Sequence, residues 1–298
     1  MVNHFIRALR LPFVSASALP FIFGSLLNKG GFGVFSFLLG LIGVVATHLS
    51  ANLINDYADS KSGRDWQDKK YYGLFGGSKI IQEGILTEIA FLKLAVIFLC
   101  IACICIIALA FTLHSVRIVL FFIAIAVLSW AYSHKPLQLS YRMAGETVIF
   151  LLFGPALVMG GYFIQTQIFP DARSFILSLP FGFLTTAILF INEVPDADVD
   201  ASVGKKTWVG FVGKKNAHIV YALLISFAFI YAVIGIVLGY LHAVSVCAFA
   251  GAFLCIPAYS ILKNSFDHKD RLLLASKLTI LGQFTVCVVL ILDLLLYR

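Results

Sequence analysis

Charge is what this chain has least of. Only 12% of its 298 residues are Asp, Glu, Lys or Arg, against about 25% in soluble domains. Acids are the rarer sign, 15 against 22 Lys and Arg. With 60% apolar residues and a mean hydropathy of +0.97, a soluble domain of this length could not hide its own surface. The composition therefore excludes a soluble enzyme and predicts a polytopic membrane protein. No soluble basic domain exists to carry the net charge of +7 onto nucleic acid; anionic lipid and an anionic substrate suit it better. The N-terminal stretch does not read as a cleavable leader either. Arg7 and Arg10 precede Ala16-Ser17-Ala18, but the apolar run between them is too short for a signal peptide, so the segment reads as a retained first span. The six cysteines all fall in apolar runs, and Cys100-Ile-Ala-Cys103-Ile-Cys105 has neither His nor acid beside it. They read as small buried hydrophobes, not metal ligands.

Long apolar runs are abundant. Nine are long enough to cross a bilayer, at 11–28, 32–54, 89–112, 116–133, 145–165, 174–193, 217–239, 242–262 and 272–297. The expected fold is an all-α bundle of nine transmembrane helices, a single domain over 1–298. Nine spans place the N-terminus and the loops after spans 2, 4, 6 and 8 on one side. Sixteen Lys and Arg fall there and four on the other side, with Lys93 and Lys277 inside spans. The positive-inside rule makes the rich side cytoplasmic.

Most acids lie on that same side, in two matching stretches. Asn55-Asp56-Tyr57-Ala58-Asp59 and Asn192-Glu193-Val194-Pro195-Asp196 both read Asn-acid-x-x-Asp at the end of an apolar run, and glycine and basic residues follow each. His48, Asn52, Asn55 and Asp59 are spaced 4, 3 and 4 apart, and Asn192, Asp196 and Asp200 are spaced 4 and 4, with Thr185 a heptad earlier. These spacings put one polar stripe on each helix, which predicts a shared central cavity open at the cytoplasmic end. Carboxylates beside hydrocarbon are functional candidates. Asn55, Asp56, Asp59, Asn192, Asp196 and Asp200 suit Mg²⁺, which needs one or two carboxylates plus phosphate oxygens and water. Lys61, Arg64, Lys79, Lys135 and Arg142, with Arg10, are the candidates to hold phosphate, each of them also serviceable as a positive-inside residue. Asp65, Asp68 and Asp198 read equally well as a solvated loop face. Tyr132, ending span 4, suits stacking on a carbocation or interfacial anchoring. Pro195 predicts a broken helix within the second stretch.

At these residues the chain resembles the UbiA superfamily of intramembrane prenyltransferases. The first motif is similar to that family's Asn-Asp-x-x-Asp-x-x-x-Asp, with Gly63 in place of the last Asp and Asp65 two residues on. That departure resembles the branch acting on 1,4-dihydroxy-2-naphthoate in menaquinone biosynthesis. His48-x-x-x-Asn52-Leu53-x-Asn55, Leu139-Ser140-Tyr141-Arg142-x-x-Gly145-Glu146 and Gly154-Pro155 with Gln165-Thr166 resemble it too. The second motif, Asp196-x-x-x-Asp200 with Gly204-Lys205-Lys206-Thr207, is similar to the family's Asp-x-x-x-Asp and its trailing Gly-Lys-Arg-Thr. Gly76-Gly77-Ser78-Lys79 stands where many members have a Gly- and Arg-containing loop.

The resemblance implies a lateral opening to lipid and Mg²⁺-dependent transfer of a polyprenyl group from its diphosphate to an aromatic acceptor. Two Mg²⁺ ions bridging the diphosphate are expected. Asp56, Asp59, Asp196 and Asp200 would act in catalysis. Arg64, Lys79, Lys135, Arg142 and Lys205 would face the diphosphate; His48, Asn52 or Gln165 would position the acceptor, and Glu193 would take a proton. 4-Hydroxybenzoate, homogentisate or a non-aromatic alcohol remain alternative acceptors. A transporter with an acidic cation site is a further alternative, although such sites lie deep in spans and these acids lie at span ends.

Overall fold

A computed structural model describes residues 2–297, and among these there is no strand ladder, only helices and the turns between them. In chain order the α-helices are α1 (Val2–Ala8), α2 (Ser15–Leu26), α3 (Val34–Lys61), α4 (Arg64–Gln67), α5 (Glu88–Thr112), α6 (Val116–Ser133), α7 (Gly145–Leu151), α8 (Leu157–Thr166), α9 (Ala172–Glu193), α10 (Ala197–Ser202), α11 (Trp208–Val212), α12 (Ala217–Val237), α13 (Ala250–Asn264) and α14 (Lys269–Leu296). A π-helical turn over Leu152–Ala156 joins α7 to α8, so the two form one span. It contains Pro155, which lacks the N–H that a regular helix needs there.

Eight helical segments among the described residues are long and apolar enough to cross a membrane. They match predicted spans two to nine. The predicted first span, 11–28, is a shorter helical stretch, Leu11–Leu26. At 1.5 Å per residue it reaches about 24 Å, less than the ~30 Å of a hydrocarbon core. It packs inside the bundle against α8 and α14.

Lipid tails are as apolar as leucine, so association rests on close packing and polar contacts. Glycine makes the closest approach possible between α2 and α8. A Cβ on Gly24 would sit 2.0 Å from the Val158 carbonyl oxygen, and one on Gly161 would sit 2.4 Å from the Phe21 carbonyl oxygen. The large core cluster joins α2, α8, α9, α12 and α14 through Phe23, Val158, Phe181, Leu184, Phe229 and Leu290. Helix α9 lies at the centre, with 78% of its most apolar stretch buried. Outward positions stay hydrophobic, as Ile104, Phe111, Val116, Val237 and Phe253 show. This is the inside-out economy of a membrane bundle, with buried Ser, Thr, Asp and Gln within it.

Candidate active site

Both acidic motifs close the same end of the bundle. Helix α3 continues two turns beyond its predicted end, so Asn55 and Asp59 sit on regular helix. Helix α9 stops at Glu193, just before Pro195, and Asp196 heads the short helix α10, which carries Asp200. Between the motifs lies Arg64, the first residue of α4 after Gly63, whose φ of +82° turns the chain at the end of α3.

Arg64 ties the two motifs together. Its Nε donates to Asp200 Oδ1 at 2.5 Å, Nη2 to Asp196 Oδ2 at 2.8 Å and Nη1 to Asp65 Oδ1 at 3.0 Å. Asp59 Oδ2 lies 3.6 Å from Nη1. Burial by itself would lower the guanidinium pKa; Asp196, Asp59, Asp200 and Asp65 outweigh it and hold it well above its ordinary value. Asp65, read from sequence as possibly solvated, is buried. Desolvation, with Asp59 and Asp56 nearby, pushes it up to about 6 against the opposing pull of Arg64 and Lys79. Lys205 Nζ adds a contact to Asp200 at 3.3 Å, and Tyr141 donates to Asp59 Oδ1 at 3.1 Å. Burial first, and then Asp59, raise the Tyr141 hydroxyl.

A glycine loop wraps this cluster. The Gly76 N–H donates to Asp196 Oδ2 at 2.9 Å, and the Ser78 N–H donates to Asp56 Oδ2 at 3.2 Å. Gly76 and Gly77 both hold positive φ, and a Cβ on Gly77 would lie 2.4 Å from Asp65 Oδ2. Only glycine lets the backbone come this near a carboxylate. Lys79 turns inward to Asp65, 3.1 Å from its carbonyl oxygen and 3.2 Å from Oδ1.

Below the charged end a cavity of about 310 Å³ runs into the bundle. His48, Asn52, Asn55, Asp59, Arg64, Tyr132, Asn192, Asp196 and Lys205 line it, together with Arg10 and Glu193. Its deeper walls are apolar, with Phe21, Phe121, Phe153, Phe163 and Ile164 among them. His48 packs edge-on against Phe153, and its buried Nδ1 has no hydrogen-bond partner. An outward groove between α2 and α14, lined by Pro12, Ser15, Leu74, Lys277, Ile280, Leu281 and Phe284, shares Leu74 with the cavity wall.

Several predicted site residues stand elsewhere. Asp56 does not line the cavity, because Arg10 binds its Oδ1 and the Ser78 N–H its Oδ2. Lys79 is consumed by Asp65. Asn192 lines the cavity, but its Oδ1 accepts from Ser276 at 2.5 Å. Lys135 is exposed. Arg142 is also exposed and donates to the Pro136 carbonyl at 2.7 Å. Gln165 is at the opposite end of the bundle, because α8 carries it a full span away. There it bonds Gly33, whose N–H donates to Oε1 at 2.8 Å. Arg10, a phosphate candidate from the sequence, lines the cavity, whereas sequence spacing missed Tyr141 as a partner of Asp59. The one signal for Tyr141 was the Leu-Ser-Tyr-Arg stretch.

Among the described residues no three His, Cys, Asp or Glu side chains close tightly enough to enclose a metal by themselves. The donor set nevertheless fits Mg²⁺ arriving with phosphate, which asks the protein for one or two carboxylates only. Asp200 Oδ2 is buried and accepts no hydrogen bond, its one cationic neighbour being Lys205.

A helical membrane bundle whose apolar cavity ends in two facing aspartate motifs defines a class of intramembrane protein. The UbiA prenyltransferase family model matches residues 17–281, and the chain belongs to that family. It is 28% identical over 196 residues to a UbiA prenyltransferase domain-containing protein of Dictyostelium discoideum, covering 64% of this chain and 57% of that protein. It is 28% identical over 209 residues to the 1,4-dihydroxy-2-naphthoate octaprenyltransferase of Escherichia coli K12, covering 66% and 64%. The chain thus spans about 60% of the length of curated relatives it matches. Among solved structures, a UbiA homologue from Aeropyrum pernix K1 superposes with a TM-score of 0.72 at 15% identity, covering 94% of this chain and 97% of that one. A UbiA homologue from Archaeoglobus fulgidus bound to GPP and Mg²⁺ gives 0.64 at 16%, covering 96% and 99%.

Proposed function

We propose that this protein transfers a prenyl group from a prenyl diphosphate to an aromatic acceptor, with Mg²⁺, at the cytoplasmic face of its membrane. The observation that carries the reading is Arg64, which joins Asp59, Asp196 and Asp200 at the mouth of an apolar cavity. Separate acidic patches serving only solvation would not share one buried cation.

Arg64, Lys205 and Arg10 are the cavity's cations and face the diphosphate, with Lys135 and Arg142 left to meet it from the surface. Asn55, Asp59, Asn192, Asp196 and Asp200 would hold Mg²⁺, with Asp56 held behind them by Arg10. When bound, the metal draws charge from the leaving diphosphate. The allylic C–O bond breaks and the diphosphate keeps the electron pair. The apolar walls keep water from the allylic cation, and the Tyr132 ring lies at the cavity where it can stabilise positive charge. An electron-rich ring carbon of the acceptor then attacks the allylic carbon. His48 and Asn52 line the same cavity and would orient that ring.

The acceptor is proposed to be 1,4-dihydroxy-2-naphthoate, as in menaquinone biosynthesis; its carboxyl would leave as carbon dioxide. Support comes from the branch-like Asn-Asp-Tyr-x-Asp-x-x-x-Gly-x-Asp motif and from two relatives that carry this acceptor in their names. Purified wild type given geranylgeranyl diphosphate, Mg²⁺ and a panel of aromatic acids is expected to release diphosphate and form a prenylated naphthoquinol, read by mass spectrometry. Asp59→Ala and Asp196→Ala should each abolish turnover while staying membrane-inserted, and excess chelator should do the same reversibly. Full activity in both variants would reject the metal assignment.

A further inference from the structure

A second tie joins the two acidic motifs, outside the cavity. The loop between α6 and α7 and the loop between α10 and α11 are sewn together by four hydrogen bonds. The Lys206 N–H donates to the Tyr141 carbonyl at 3.1 Å, and the Met143 N–H to the Lys206 carbonyl at 2.9 Å, forming an isolated parallel bridge between Arg142 and Lys206. The Trp208 indole N–H donates to the Met143 carbonyl at 3.2 Å, and the Trp208 backbone N–H to Glu146 Oε1 at 2.5 Å. Glu146 is buried at the start of α7, which anchors this seam to a membrane span.

We propose that Trp208, Met143 and Glu146 are positioning residues. Their seam holds Tyr141 and Lys205 as one unit, and that unit keeps the two motifs at a fixed spacing when the diphosphate and Mg²⁺ compete for the contacts of Arg64. The proposal rests on the prenyl-transfer reading above and adds to it what keeps the site assembled in the loaded state.

Each loop carries one contact to a different motif. The Tyr141 hydroxyl reaches Asp59 Oδ1 at 3.1 Å and Ser62 Oγ at 2.8 Å. Lys205, next to the seam residue Lys206, has its Nζ 3.3 Å from Asp200 Oδ2 and 5.7 Å from the centre of the Tyr141 ring. Backbone strain marks the same place. Gln138 and Met143 hold φ of +43° and +59°, the left-handed region that side chains disfavour. Such strain persists only where the surroundings over-determine it. At Met143 both backbone groups are spoken for, the N–H by Lys206 and the carbonyl by Trp208.

Arg64 cannot do this work alone once substrate arrives. It bonds the same carboxylates that are proposed to hold Mg²⁺, and a phosphate oxygen competes for its N–H groups. The seam is free of that competition, because Tyr141, Met143, Lys206 and Trp208 stand outside the cavity lining. A side chain that meets substrate from a loop is only as precise as the bonds behind it.

The test uses full-length protein in lipid nanodiscs, with Mg²⁺ and geranyl thiolodiphosphate, a non-hydrolysable donor analogue, as the probe. Spin labels at Lys61→Cys and Ser202→Cys, both exposed, report the spacing of the motifs in a cysteine-free background. The unsubstituted seam is expected to give a narrow distance distribution with and without the probe. Trp208→Phe, which loses the indole N–H and keeps an apolar ring against the cluster below it, should broaden the distribution only when the probe is bound. Glu146→Ala, which frees the other Trp208 N–H, should do the same. Probe affinity should fall about fivefold in Trp208→Phe and about tenfold in Lys205→Met. The double variant should bind no more weakly than Lys205→Met, since both changes act through one contact. Losses that multiply in the double variant, or loaded distributions as narrow as wild type in both seam variants, overturn the seam and leave prenyl transfer standing. Failure of wild type to bind the probe overturns both.

Discussion

Asp65 illustrates what a single residue's surroundings do to its chemistry. In a loop it would be an ordinary carboxylate; here it lies beneath Gly77, between Arg64 and Lys79. Its pKa stands near 6 because burial and the neighbouring Asp59 and Asp56 prevail. The folded value lies above the unfolded one, about 4. Its contribution to stability is therefore complete below about pH 4 and is lost as pH rises through 6. The loss is on the order of 3 kcal/mol. Asp65→Asn, which cannot ionise, is predicted to flatten the change in melting temperature between pH 4 and 6 in metal-free detergent solution. A variant with the same pH slope as wild type would count against this assignment. The residue was visible in the sequence, but its burial was not: nothing in Gly63-Arg64-Asp65 says that the loop of Gly76 to Lys79 folds over it.

At the scale of elements, the spans were legible because hydropathy is local. Predicted and observed ends of α5 and α6 agree to within a residue, since apolar runs bounded by polar residues define them. The stripe on α3 was legible for the same reason, helical period acting on local order. The first span was misjudged in length: an apolar run says nothing about where the helix begins, and Leu11–Phe13 forms a 3-10 turn. Helix partners were not legible either. The α2–α8 crossing depends on Gly24 lying against Val158 and Gly161 against Phe21, pairs far apart in the chain. Gly161→Val is predicted to force those helices apart and to destabilise the bundle by about 2 kcal/mol. The measurement is thermal unfolding in detergent, and an unchanged midpoint would contradict the packing described.

For the whole molecule, the positive-inside count predicts that the charged mouth faces the cytoplasm. In a cysteine-free background, Lys70→Cys should react with an impermeant thiol reagent from the cytoplasmic side only. Lys29→Cys, in the loop between α2 and α3 at the opposite end, should react from the other side only. Both residues are exposed, so the reversed pattern would invert the orientation.

The linear order of residues was enough to establish a membrane-embedded helical chain, the two acidic motifs and their common side, because hydropathy, helical period and charge bias act over a few turns. Only the tertiary structure decided which acids face the cavity, that Asp56 and Lys79 are spent on Arg10 and Asp65, and that Gln165 serves the far end. Those outcomes depend on contacts between segments far apart in the chain, where the direction of one helix and the approach of one glycine loop select the partner of each charge.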